Sequence, residues 1–63
     1  MLELTKIANA TLKAGRKAFT YGGTLFTIEH TFDRQYAVMY ERNEQYKARE
    51  TRKCWECAMY IYA

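Results

Sequence analysis

The chain has no proline and no serine, one histidine, one tryptophan, two cysteines and three glycines. Without proline or serine it offers none of the usual linker or low-complexity composition, so residues 1–63 read as a single domain with no internal boundary. The missing serine removes the commonest hydroxyl nucleophile. Two cysteines cannot build the disulfide framework of a small secreted scaffold. No apolar run approaches the roughly 18 residues that a membrane-spanning helix needs. The start, Met1 to Lys6, lacks the basic region, apolar stretch and cleavage site of a secretory leader. These absences together predict a cytoplasmic protein in a reducing compartment, with no membrane partner.

What is present argues for a folded chain. Hydrophobic residues make up 49% of the 63 positions, and the aromatics are three phenylalanines, six tyrosines and Trp55. That is too much apolar material for a disordered segment. A chain this short nevertheless buries only about 60% of its unfolded surface, so its own core is marginal and a partner subunit is a common remedy. The net charge of +3 is unevenly distributed. Basic segments over residues 1–19, with Lys6, Lys13, Arg16 and Lys17, and over 42–53, with Arg42, Lys47, Arg49, Arg52 and Lys53, flank a mildly acidic middle. That layout suits either an electropositive face or ordinary solvated helices.

Leu4, Ile7, Ala8, Thr11 and Leu12 fall on one stripe of a helix over about residues 3–14, with Gly15 placed to cap it. Gly22-Gly23 sits between two β-rich runs and predicts a hairpin, because a type I′ turn needs positive φ at both central residues. In that register Phe19 faces Phe26, and Tyr21, Phe26, Ile28, His30 and Phe32 share one side. Asp33-Arg34-Gln35 reads as a second turn leading into a strand over 36–41. From Glu44 onward good helix formers dominate, and Ala48, Trp55, Met59 and Tyr62 continue at helical spacing. The expected fold class is therefore α+β: a three-stranded antiparallel meander with an N-terminal and a C-terminal helix, α-β-β-β-α, in two layers. The competing reading turns the chain at Arg42-Asn43-Glu44 and makes the last segment a fourth strand.

Few residues suggest chemistry. Cys54-Trp55-Glu56-Cys57 has the CxxC spacing of a redox pair or half a zinc site. With only His30 as a conventional third ligand, two small buried thiols are the favoured reading over a zinc- or redox-linked mini-domain. His30 has no nucleophile and orienting group to complete a catalytic set. Gly22-Gly23 lacks the lysine and helix of a phosphate loop. We expect no enzyme, no cofactor and no metal.

The expected function is a small protein-binding module, an inhibitor or modulator of a larger protein, of the kind found among phage- and plasmid-type regulators. Trp55, Met59, Tyr60 and Tyr62 form its expected interface, since aromatics and methionine are enriched at interfaces. Self-association as a homodimer follows from a C-terminal helix apolar round most of its circumference. The alternative is nucleic-acid binding by Lys47, Arg49, Arg52 and Lys53 on one helix face, with Arg16 and Lys17. The α-β-β-β-α order, with a basic segment opening the last helix, resembles the double-stranded-RNA-binding domain in outline. That resemblance implies that Arg49, Arg52 and Lys53 occupy the family's phosphate-contacting helix start. The family's Gly/Pro-rich second loop has no counterpart here, and its consecutive lysines before alanines become Arg52-Lys53-Cys54-Trp55.

Overall fold

The stripe of Leu4, Ala8 and Leu12 winds into helix α1, Leu2–Lys13, with Glu3 in its first turn and Lys13 in its last, each matched to the nearer end of the helix dipole. A computed structural model describes residues 2–63, apart from the side chains of Leu2 and Tyr46. The helix stops in a Schellman arrangement. Arg16 N–H donates to the Thr11 carbonyl at 3.1 Å, and Gly15 N–H donates to that of Leu12 at 3.0 Å. Gly15 supplies the left-handed φ of 75° that this closure needs.

Strands β1 (Ala18–Tyr21) and β2 (Thr24–Phe32) form the hairpin around Gly22 and Gly23, whose φ values of 58° and 78° fit a type I′ turn. Phe19 pairs with Phe26, and their rings stack with centroids 5.1 Å apart. The chain continues through Asp33-Arg34 into β3 (Gln35–Lys47) and then β4 (Glu50–Tyr62). All neighbouring pairs are antiparallel, in the order β1-β2-β3-β4, so β1 and β4 are the sheet edges.

The expected C-terminal helix is not formed, and the sheet has four strands, not three. Residues 50–62 are strand β4, and α1 is the only helix among the described residues. The competing reading placed the turn wrongly as well. Arg42, Asn43 and Glu44 lie inside β3, opposite Cys54, Lys53 and Arg52, and the chain reverses at Ala48-Arg49. Two features hid this. Ala48-Arg49 carries no glycine, asparagine, aspartate or proline to announce a turn. A β-bulge at Ala58 then breaks the two-residue alternation, because Val38 pairs with Met59 while the next residue, Met39, pairs with Cys57. Trp55 and Tyr62, seven residues apart, share a side only because this extra residue lies between them, while Met59 is turned to the other side.

A second bulge corrects another expectation. His30 pairs with Tyr36 but Phe32 pairs with Gln35, leaving Thr31 as the extra residue. Phe32 thus leaves the side of Phe26 and Ile28 and joins the side of Gln35 and Tyr62.

Helix α1 covers one face of the sheet. Leu4 and Ala8 pack against Phe26, Ile28, Val38 and Ile61, one or two residues from each of β2, β3 and β4. Leu12, Phe19, Tyr36, Tyr40, Ala58 and Met59 surround this cluster half-buried. Val38 is fully buried at its centre. Truncating Val38 to Ala is expected to cost about 2 kcal/mol, from lost transfer energy plus the cavity left behind. Against a total near 5–15 kcal/mol that is a large fraction. Urea unfolding is expected to show a clearly lower midpoint for Val38→Ala, and a shift within about 0.5 kcal/mol for exposed Thr20→Ala.

Candidate functional site

Strand alternation fixes what the opposite, uncovered face carries. Ala37 lies opposite Tyr60, Met39 opposite Cys57 and Glu41 opposite Trp55, and Leu25 and Thr27 project to the same side from β2. Leu25 is 42% exposed, Trp55 47%, Tyr60 53%, Phe32 63% and Tyr62 68%. Gln35 Nε2 donates to the Tyr62 hydroxyl at 3.1 Å, so the last aromatic is held over the sheet end. Beside it Phe32, Asp33, Arg34, Gln35 and Tyr62 line a shallow depression of about 380 Å³.

Three of the four expected interface residues, Trp55, Tyr60 and Tyr62, therefore meet on this open face. Met59 does not. The bulge at Ala58 turns Met59 to the helix side, where Thr5 Oγ1 lies 3.2 Å from its sulfur. Leu25 and Phe32 belong to the open face and were missing from the expected set. The hairpin register already set Leu25 opposite to Phe26; Phe32 left no such trace, because a bulge has no sequence signature at Thr31.

Beyond the pair Phe26–Tyr40, β3 loses its β2 neighbour, and Glu41–Lys47 pairs only with β4. The two strands run on as a ribbon-like arm, which helps to make the molecule 42 Å long against 25 and 19 Å in its other dimensions. On the helix side of the arm the side chains form a polar ladder. Tyr40 hydroxyl and Arg42 Nη1 donate to the same Glu56 oxygen at 2.7 and 2.8 Å, and Cys54 Sγ donates to Glu44 Oε2 at 2.8 Å. Hydrogen bonds from Tyr40 and Arg42 hold the Glu56 carboxyl below its ordinary pKa. The Glu44 carboxylate acts oppositely on Cys54: its hydrogen bond, with a contribution from burial, raises the thiol pKa and outweighs the lowering by Arg52. On the other side Asn43 pairs with Lys53 and Gln45 with Thr51, and Lys53 Nζ sits 3.3 Å from Glu41.

The expected basic helix face does not exist, and with it goes the outline likeness to the double-stranded-RNA-binding domain. Lys47, Arg49, Arg52 and Lys53 are instead gathered on the arm, with Arg52 and Lys53 on opposite faces of one strand. Arg16 and Lys17 lie before β1, level with Ile28 through the bond from Ile28 N–H to the Lys17 carbonyl. They are about 27 Å along the sheet from the tip, so the six cations do not form one patch.

Cys54 and Cys57 are also separated. Cys54 faces the helix side and Cys57 the open face, so the CxxC spacing yields no thiol pair here. His30 Nε2 donates to the Asp33 carbonyl at 2.6 Å and its ring lies against Tyr36 at 4.9 Å. This contact ties down the turn, where Asp33 adopts a left-handed φ of 48°. Among the described residues no three His, Cys, Asp or Glu side chains converge as a metal site. Comparison with known proteins finds no match to a family model, a curated protein or a solved structure.

The Glu44–Cys54 contact can be tested by thiol reactivity, since the thiolate is the nucleophile. A raised pKa leaves less thiolate at a given pH. In a Cys57→Ala background, Glu44→Gln is therefore expected to shift the pH–rate profile of Cys54 alkylation to lower pH. An unchanged profile would show that the two side chains do not meet.

Proposed function

We propose that the protein is a small non-enzymatic protein-binding module of the inhibitor or modulator type, and that its binding surface is the open face of the sheet. The observation that supports this is the joint exposure of Leu25, Phe32, Trp55, Tyr60 and Tyr62 on one side. Tyrosine and tryptophan supply large, stiff contact area with a polar tip, the combination favoured in interface cores. A sheet with one apolar face left open reaches a stable two-sided arrangement by acquiring another layer.

The first occupant of that face is a second copy of the chain. Stacked sheets lie about 10 Å apart, a spacing at which the exposed aromatics of two such faces interdigitate. Among the described residues seven hydrophobic side chains are buried, a small core, so the shared layer also adds stability. A larger protein with an apolar surface competes for the same residues, which is how a modulator of this type acts by occlusion. Its two free thiols, one of them exposed, suit a reducing cytoplasm. No described helix is long and apolar enough to cross a membrane.

Sedimentation from micromolar to near-millimolar concentration is expected to show the mass rising from 7.5 kDa toward twice that value. Tyr62→Glu or Trp55→Glu is expected to hold the protein at monomer mass with the far-ultraviolet spectrum of the sheet retained. A wild-type monomer throughout would overturn self-association.

A further inference from the structure

We propose that the β3–β4 arm is a DNA-binding ribbon that enters the major groove of B-form DNA, with Lys47, Arg49 and Lys53 at phosphates and Asn43, Gln45 and Thr51 toward base edges. The site is the distal continuation of the open side, beyond Trp55 and its partner Glu41, and rests on different observations.

Shape comes first. Two strands lie about 4.8 Å apart, and with side chains they fill a groove about 12 Å wide, which admits a two-stranded ribbon. From Glu41 to Lys47 the arm runs about 23 Å, enough to follow roughly seven base pairs. An unsupported pair of strands is only marginally stable, and none of the arm's described residues belongs to the buried cluster.

Chemistry then selects the partner. Beyond Trp55, which pairs with Glu41 at the base of the arm, residues 42–53 are polar or charged except for Tyr46 and Ala48, so the distal arm lacks the apolar patch on which a protein partner would anchor. Its distal part, residues 45–53, holds Lys47, Arg49, Arg52 and Lys53 against Glu50 alone. Cations at a projecting tip suit a polyanion, and phosphate contacts supply orientation as well as affinity. The two faces of the arm differ. One carries the ladder of Arg42, Glu44, Arg52 and Cys54. The other carries Asn43, Gln45 and Thr51, amide and hydroxyl groups of the kind that bond to base edges in the major groove, with Lys53 beside them. Its carboxylate, Glu41, stands at the base of the arm and is met by Lys53, 70% exposed and free to swing to a phosphate. The deep, narrow major groove of A-form RNA does not accept such a ribbon, which singles out DNA.

The test uses a labelled mixed-sequence DNA duplex of about two helical turns and the RNA duplex of the same sequence, titrated with the full chain. Three phosphate contacts predict a log–log salt slope near −2.7, or about a 40-fold loss of affinity between 50 and 200 mM salt. Binding to the RNA duplex is expected to be at least tenfold weaker. Arg49→Gln is expected to lower the slope by about 0.9 while amide dispersion of the core is kept. Dimethyl sulfate footprinting is expected to show guanine N7, in the major groove, protected over about seven base pairs, with adenine N3 in the minor groove still reactive. Absence of DNA binding at low salt, equal affinity for RNA, protection of adenine N3, or an unchanged slope in a folded Arg49→Gln protein would each overturn the proposal.

Discussion

One helix serves a sheet that has two faces, and the rest of the molecule follows from that imbalance. Leu4 and Ala8 of α1 close over Phe26, Ile28, Val38 and Ile61, and this contact is the buried cluster on which the described fold rests. It commits even-numbered residues of β2 and β3, up to the bulge at Thr31, to the helix side, and leaves their neighbours facing outward. The aromatic surface of Trp55, Tyr60 and Tyr62 is the complement of that commitment. No rearrangement of these side chains can bury them while the register to Val38 holds.

The arm obeys a different economy. Past Tyr40 no helix lies over the ribbon, and the residues on the helix side change from apolar to polar. Tyr40 and Arg42 bonded to Glu56, and Cys54 bonded to Glu44, stand in two hydrogen-bonded groups in place of a packed layer. Exposed pairs of this sort contribute little individually. Their value here is geometric, since each bond crosses from β3 to β4 and opposes fraying of the two strands. The Glu44 hydrogen bond in this ladder raises the Cys54 thiol pKa, and Cys54 and Cys57 point to opposite sides of the strand.

Much of the proximal fold was legible. The stripe of α1, its glycine cap, the Gly22-Gly23 hairpin and the Phe19–Phe26 pairing all rest on local rules that hold without tertiary context. The second half was not legible, for reasons that lie in particular residues. Ala48 and Arg49 reverse the chain without turn chemistry, held by the pairing of Lys47 with Glu50. Glu44, Gln45, Lys47 and Glu50 are good helix formers, yet cross-strand partners decide their state. Ala58 shifts the pleat by one, so the apolar residues of β4 alternate in two separate frames. Of the residues expected at an interface, Trp55, Tyr60 and Tyr62 are exposed on one side of the sheet. Met59 was misplaced by the same one-residue shift.

The position of β4 at the edge of the sheet has a further consequence for the protein's behaviour in a crowded solution. Thirteen residues of strand present one row of unmatched backbone groups, the arrangement on which sheets grow without limit. The stretch from Ala58 to Tyr62 is the apolar part of that row, and it contains no charge to repel an incoming strand. The bulge kinks the backbone at the start of this stretch, and Arg52, Lys53 and Glu56 guard the rest. Ala58 therefore has a second role besides setting the frame. By spoiling the straightness of the edge it discourages fibrillar stacking, and a chain shortened by that one residue would lose its gatekeeper together with its register.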